Sequence, residues 1–261
     1  MSESIIQFES VSKSYPLYDQ VRGVKHLLFN FPHNFKTLRQ IRYEALRGIS
    51  FEVRRGEQFG VIGHNGAGKS TTLGLIAGVI KPTTGRVIVR GRVSPLLSLG
   101  AGFHTDLSGR ENILLNGILM GLTRREVQAR MAEIVEFSGL GEFVDRPIRV
   151  YSSGMLARLG FSVVAHLDPE ILLIDEVLSV GDIRFRQKCI AKIREFKRTG
   201  VTMVLVSHSV HLVAKLCNRA MWIENQTIRK IGKARVVVDA YCNAANLEPL
   251  VSVDDSYMAD L

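Results

Sequence analysis

Gly63-His64-Asn65-Gly66-Ala67-Gly68-Lys69-Ser70 fits the pattern G-x-x-x-x-G-K-[ST] of a phosphate-binding loop. It follows a short apolar run, Phe59 to Ile62, that reads as a strand. Thr71 to Val79, mostly apolar or small, reads as a helix. Strand, glycine loop and helix in that order are the context the motif requires. The glycines let backbone N–H groups turn inward around phosphate oxygens, and the helix N-terminus adds partial positive charge. Gly63, His64, Asn65, Gly66, Ala67, Gly68, Lys69, Ser70 and Thr71 are therefore the candidate nucleotide contacts. Lys69 would reach the β- and γ-phosphates, and the Ser70 hydroxyl would bind Mg²⁺.

Farther along, Ile171-Leu172-Leu173-Ile174-Asp175-Glu176 has the form of a Walker B motif. Four apolar residues bury a strand and two carboxylates emerge at its end. Asp175 is the candidate Mg²⁺ ligand, through water. Glu176 is placed to polarise the attacking water as general base. Val204-Leu205-Val206-Ser207-His208 repeats that layout on a neighbouring strand. There His208 would sense the γ-phosphate by a hydrogen bond. Lys69, Glu176 and His208 form the expected catalytic set, and Ser70 and Asp175 the expected metal set.

Bulk properties bound the rest. The chain has 261 residues, 46% of them hydrophobic, so it can bury a substantial core. No apolar run approaches the roughly 20 residues that span a bilayer. Met1-Ser2-Glu3-Ser4 lacks the basic and apolar regions of a signal peptide. Cys189, Cys217 and Cys242 are odd in number and widely spaced, which suits a reducing compartment and no disulfide framework. A cytoplasmic protein is expected. The net charge of +9 and pI of about 9.7 favour nucleic acid or an anionic membrane face as neighbour, without choosing between them.

The pattern predicts a strand over Ile5 to Val11, ended by Tyr15-Pro16, and another over Ile49 to Val53. Residues 17–44 between them are irregular, basic and aromatic. Arg86 to Arg90 reads as a strand. Glu111 to Phe143 and Ser152 to Leu167 read as helical, with Val127, Met131, Ile134, Val135 and Phe137 at helix spacing. Val201 to Val206 is a strand. Phe185, Cys189, Ile193 and Phe196 form one helix face. Fully apolar strands alternating with helices predict an α/β fold with a mainly parallel sheet covered on both faces. The helical block at about 111–165 interrupts that alternation and is expected to be a subdomain.

Between the two nucleotide motifs lies Tyr151-Ser152-Ser153-Gly154-Met155. With it the chain resembles the ATP-binding cassette (ABC) family, whose signature is usually Leu-Ser-Gly-Gly-Gln; this version keeps the serine and the second glycine. Ser179-Val180-Gly181-Asp182 corresponds to the family's D-loop. Tyr15, in Ser12-Lys13-Ser14-Tyr15, corresponds to the aromatic that stacks on adenine. The resemblance covers about residues 5–240. It implies a P-loop NTPase fold: a RecA-like core, an N-terminal antiparallel β part and an inserted helical signature subdomain, together about residues 1–245, with a short tail at 246–261. It also implies ATP and Mg²⁺ as cofactors and a head-to-tail homodimer. Each ATP would lie between one subunit's phosphate loop and the other's Ser152, Ser153, Gly154 and Asp182.

One departure narrows the family. Ser94 to His104 lacks the glutamine that normally touches Mg²⁺ and couples to the membrane subunit. Leu99-Gly100-Ala101-Gly102-Phe103-His104, then Leu107-Ser108-Gly109-Arg110-Glu111-Asn112, is similar to the ATPase subunits of bacterial polysaccharide exporters of the O-antigen type. Capsule and teichoic-acid exporters are close relatives. That resemblance implies two copies of a separate polytopic permease and an undecaprenyl-diphosphate-linked glycan substrate. It places the chain peripherally on the cytoplasmic face of the inner membrane, with no nucleic acid expected. The chain stops soon after the cassette, so it is expected to lack the C-terminal carbohydrate-binding domain some relatives carry. A soluble ABC protein acting on ribosomes or DNA suits the charge. It does not suit a single compact cassette without a coiled-coil arm.

In the 17–44 insertion, Asn34 is a candidate cap for a helix from Phe35 to Tyr43. Phe35, Leu38 and Ile41 fall near one side, with Lys36, Arg39 and Arg42 around it. Two readings stay open: a gate-like helix at the membrane interface, or an apolar side packed on the cassette.

Overall fold

The computed structural model describes residues 3–16, 42–96, 102–175, 182–207 and 209–247. Two sheets organise them. The first is antiparallel, with β1 (Ser4–Pro16) between β2 (Arg42–Arg54) and β4 (Thr84–Val89). The second has six strands in the order β5 (Val93–Leu96), β6 (Ile171–Asp175), β7 (Thr202–Val206), β3 (Gln58–Ile62), β8 (Arg219–Glu224), β9 (Thr227–Lys233). All its pairings are parallel except β8 with β9. The central strands β3, β6 and β7 are buried almost throughout, as runs of apolar residues covered on both faces should be.

Helix α1 (Lys69–Ile76) lies between the sheets, and its Leu73, Leu75 and Ile76 share one core with Ile6, Phe51, Val61 and Val204. Phe8 stacks on Phe51 at 4.4 Å and Phe51 on Phe59 at 5.5 Å, tying the antiparallel sheet to the parallel one. The opposite face of the parallel sheet is covered by α4 (Ser153–Ala165), α5 (Ile183–Arg198), α6 (Val210–Leu216) and α7 (Ala234–Ala245). In α5 the buried residues are Phe185, Cys189, Ile193 and Phe196, the face the spacing predicts. A third core unites α2 (Gly109–Leu119), α3 (Arg124–Ser138) and α4 around Ile113, Val127, Ile134 and Leu159. The helical stretch predicted from Glu111 to Phe143 is thus two helices. Gly121, at φ 92°, breaks it, and Thr123 starts α3 afresh.

Several boundaries differ from expectation. β1 continues past Val11 to Pro16, because β2 pairs with it to the end: Tyr15 lies opposite Tyr43 and Pro16 opposite Arg42. Arg42, Tyr43 and Glu44 are consequently strand. They are neither the end of a helix from Phe35 to Tyr43 nor part of an insertion reaching 44. Long-range pairing overrides a weak local helical period. The rest of that predicted helix lies outside the described residues. Helix α1 begins at Lys69 rather than Thr71 and ends at Ile76 rather than Val79.

Candidate functional site

The carboxyl ends of β3, β7 and β6, three adjacent parallel strands, deliver the phosphate loop, Val206 and Asp175 to one edge of the sheet. In open α/β sheets that edge is where ligands bind. A pocket there is lined by Tyr43, Ala45, Asn65, Gly66, Gly68, Lys69, Ser70, Thr71, Asp175 and Val206. Two carriers of the sequence argument, the loop and the Asp175 strand, are therefore brought together.

The loop folds around its own lysine. Lys69 Nζ donates to the carbonyls of Gly63 at 2.8 Å and His64 at 3.0 Å, and the residue is 6% exposed. Burial lowers the Lys69 pKa, and the nearby Asp175 carboxylate acts in the opposite direction. Glycine is demanded at two points. A Cβ on Gly63 would stand 2.3 Å from the Ile223 carbonyl oxygen. One on Gly68, at φ 107°, would stand 2.4 Å from the Ala45 carbonyl oxygen. Gly68 is the N-cap of α1 and supplies no side chain, so the first turn keeps its amides unclaimed by any cap.

Ser70 and Asp175 offer two oxygen donors in the same pocket. That set suits a hard cation such as Mg²⁺, which binds through one or two protein oxygens plus water and phosphate. Among the described residues no cluster of three or more His, Cys, Asp or Glu side chains could cage a metal unaided.

Other expected contacts lie elsewhere. Ser152 caps α4, its hydroxyl accepting from the Met155 amide at 3.2 Å, and Ser153 is the helix's first residue. Asp182 caps α5, accepting from the Phe185 amide at 2.9 Å. That bond, aided by Arg158, holds its carboxyl below the usual carboxylate range. Tyr15 does not line the pocket; the Lys13 ammonium stands 4.9 Å from its ring centroid. Ser152, Ser153, Gly154 and Asp182 are absent from the lining as well. Glu176, Ser179 to Gly181, His208 and the loop at 97–101 lie outside the described residues.

Tyr43 is the residue that sequence reasoning missed. It lines the pocket, is 41% exposed, and donates its hydroxyl to the Gly66 carbonyl at 3.0 Å. Its position opposite Tyr15 puts both rings on one sheet face. No local pattern marks it, since the contact depends on pairing across the insertion.

Comparison with known proteins agrees with this geometry. The family described as ABC transporter matches residues 46–179. The chain is 56% identical over 243 residues to the O-antigen export system ATP-binding protein RfbB of Klebsiella pneumoniae, covering 93% of this chain and 99% of that protein. It is 44% identical over 236 residues to the teichoic acids export ATP-binding protein TagH of Levilactobacillus brevis, covering 90% of this chain and 64% of that one. In fold it is similar to a dimeric ATP-binding cassette in a post-hydrolysis state bound to ADP and Pi. There the TM-score is 0.68 and the identity 19%, covering 88% of this chain and 98% of that one. Among the described residues no helix is long and apolar enough to cross a membrane. The family match over residues 46–179 and the 56% identity over nearly the whole chain show that the chain belongs to the ABC transporter family.

Proposed function

We propose that this chain hydrolyses ATP to drive export of O-antigen polysaccharide, carried on undecaprenyl diphosphate, across the bacterial inner membrane. The observation that carries the ATPase reading is the convergence of Lys69, Ser70 and Asp175 on one pocket at the strand ends. The export reading rests on 56% identity to an O-antigen export protein over nearly the full length of both chains. The lower identity to the teichoic-acid protein puts that substrate second.

In this reading the amides from Gly66 to Thr71 and the Lys69 ammonium hold the phosphates. Lys69 exchanges its bonds to the Gly63 and His64 carbonyls for phosphate oxygens. Tyr43 forms the wall on the base side, with Tyr15 opposite it in the strand pair. Glu176 takes a proton from the attacking water, and His208 hydrogen-bonds the γ-phosphate. Ser70 and, through water, Asp175 would hold Mg²⁺, which would supply neutralisation of the phosphate charge.

Ser152, Ser153, Gly154 and Asp182 act on the partner cassette's ATP in a head-to-tail homodimer. Gly154 supports this. A Cβ there would meet nothing nearer than Ser152 Oγ at 3.8 Å, so nothing within the described chain requires glycine. Close approach by something outside the chain gives it a reason. The dimer docks on a separate polytopic permease at the cytoplasmic face, and the basic 17–41 segment meets that interface.

The test is complementation. In cells lacking this protein, lipid-linked polysaccharide should accumulate on the cytoplasmic side, and the wild-type chain should restore surface polymer. Glu176→Gln should bind ATP, lose roughly 10²–10⁴-fold in hydrolysis and fail to restore export. Normal export without the protein, or co-purification with ribosomes or DNA rather than a membrane subunit, would overturn the reading.

A further inference from the structure

Arg158 lies on α4, less than two turns from Ser152. Its guanidinium bridges two other helices, the end of α3 and the start of α5. Nε donates to the Ser138 carbonyl at 2.9 Å and Nη2 to the Gly139 carbonyl at 3.3 Å, both at the end of α3. Nη1 faces Asp182 Oδ2 at 3.6 Å, and the guanidinium carbon lies 5.2 Å from the Phe185 ring centroid on α5. Gly139 makes room for this: a Cβ there would stand 2.4 Å from Nη2. A cation is also favoured at the negative end of α3.

Asp182 is divided in the same way. Oδ1 accepts from the Phe185 amide while Oδ2 faces Arg158. One carboxylate therefore fixes the start of α5 and, through Arg158, the position of α4. Any slide of α4 past α5 must break one of these contacts. The Asp182 side chain is 61% exposed, so the ion pair adds little to folding stability. Its consequence is geometric. A lysine, with one compact ammonium, cannot reach all three directions at once.

We propose that Arg158 is a positioning residue, one that locks the signature helix to Asp182 so that both meet the partner cassette's nucleotide as a unit. This rests on the composite-site reading of Ser152 and Asp182 given above. Arg158 does not line the pocket that holds Lys69, Ser70 and Asp175. Its effect should therefore appear in the step that assembles two cassettes around ATP, not in nucleotide capture by one.

A double-mutant cycle tests this. Asp182→Asn keeps an oxygen for the Phe185 amide while removing the charge that faces Arg158. Arg158→Lys keeps a charge and loses the fork. Each single variant should lower kcat for ATP about tenfold and weaken ATP-driven dimerisation in a Glu176→Gln background. Binding of a fluorescent ATP analogue to the monomer should stay within about twofold of wild type. The double variant should fall no further than the deeper single, because the two residues act through one contact. Multiplicative losses, or a matching loss of monomer binding, would overturn the proposal. If Arg158→Lys does not fold, Asp182→Asn decides alone: wild-type kcat and dimerisation refute the lock. Ser152→Arg separates this from the parent reading. If that variant hydrolyses ATP normally, the composite site itself fails. If it is dead while the cycle is multiplicative, only the role of Arg158 fails.

Discussion

Helix α1 and the two helices α2 and α3 start in opposite ways. Ser108 Oγ accepts from the Glu111 amide at 3.2 Å while the Glu111 carboxylate accepts from the Ser108 amide at 2.8 Å. Thr123 and Glu126 repeat this reciprocal box at the start of α3, at 3.3 Å and 2.7 Å. Both ends satisfy their own amides and bring their own negative charge. The start of α1 does neither. Its cap is Gly68, left-handed and without a side chain, and its first turn holds no acidic residue. The two packed helices close their own ends. The start of α1 leaves its first-turn amides without a side-chain cap, the arrangement an anion site at a helix N-terminus requires. Helix α4 stands between: the Ser152 hydroxyl caps it by accepting from the Met155 amide, but its first turn holds no acidic residue.

The difference can be broken most severely at Gly68. In Gly68→Ala the added Cβ meets the Ala45 carbonyl oxygen and the Leu46 side chain in a backbone conformation alanine rarely adopts. Stability should fall by on the order of 2 kcal/mol or more, read by urea unfolding. ATP binding, read by calorimetry, should fall at least about tenfold. Next comes Tyr43. Tyr43→Ala should weaken ATP roughly 5- to 150-fold, the usual worth of a base-stacking ring. Inorganic tripolyphosphate should weaken less, and Tyr43→Phe should lose only the bond to Gly66. Equal losses for ATP and tripolyphosphate would remove the ring from the base side.

The smallest effect belongs to the closed ends. Ser108→Ala should cost about 1 kcal/mol of stability and leave ATP affinity unchanged. The Ser108 side chain and amide hold the Glu111 carboxyl below its usual range, and Thr123 does the same for Glu126. A depressed folded-state pKa gives stability that is full above the ordinary value of 4.5 and is lost as pH falls through the lowered one. Acid unfolding of Ser108→Ala should therefore show a smaller pH dependence below about pH 4.5 than wild type.

The candidate pocket was legible because its signals are local. Gly63 to Ser70 and Ile171 to Asp175 are short runs marked by their spacing, and the structure brings Asn65, Gly66, Gly68, Lys69, Ser70 and Asp175 from them into one pocket. The face of α5 was legible for the same reason. Tyr43 was not. Its strand forms by pairing with β1 across residues 17–41, and the stretch before it carries a competing helical period. The division of Glu111 to Phe143 into α2 and α3 was written in Gly121 and Thr123, a breaker and a cap inside a continuing apolar period. Arg158 was invisible for a further reason: its partners, Ser138 and Gly139 on one segment and Asp182 and Phe185 on another, lie far apart in the chain, and nothing in their order announces that they meet.

The central claim is that the open start of α1 holds the phosphates. Amide hydrogen exchange resolved by NMR, with and without saturating ADP, tests it directly. The account predicts slowed exchange at the amides of Gly66, Gly68, Lys69, Ser70 and Thr71, and no change at those of Glu111 and Glu126. Unchanged exchange from Gly66 to Thr71 with ADP bound, or equal protection at the capped ends, would contradict it.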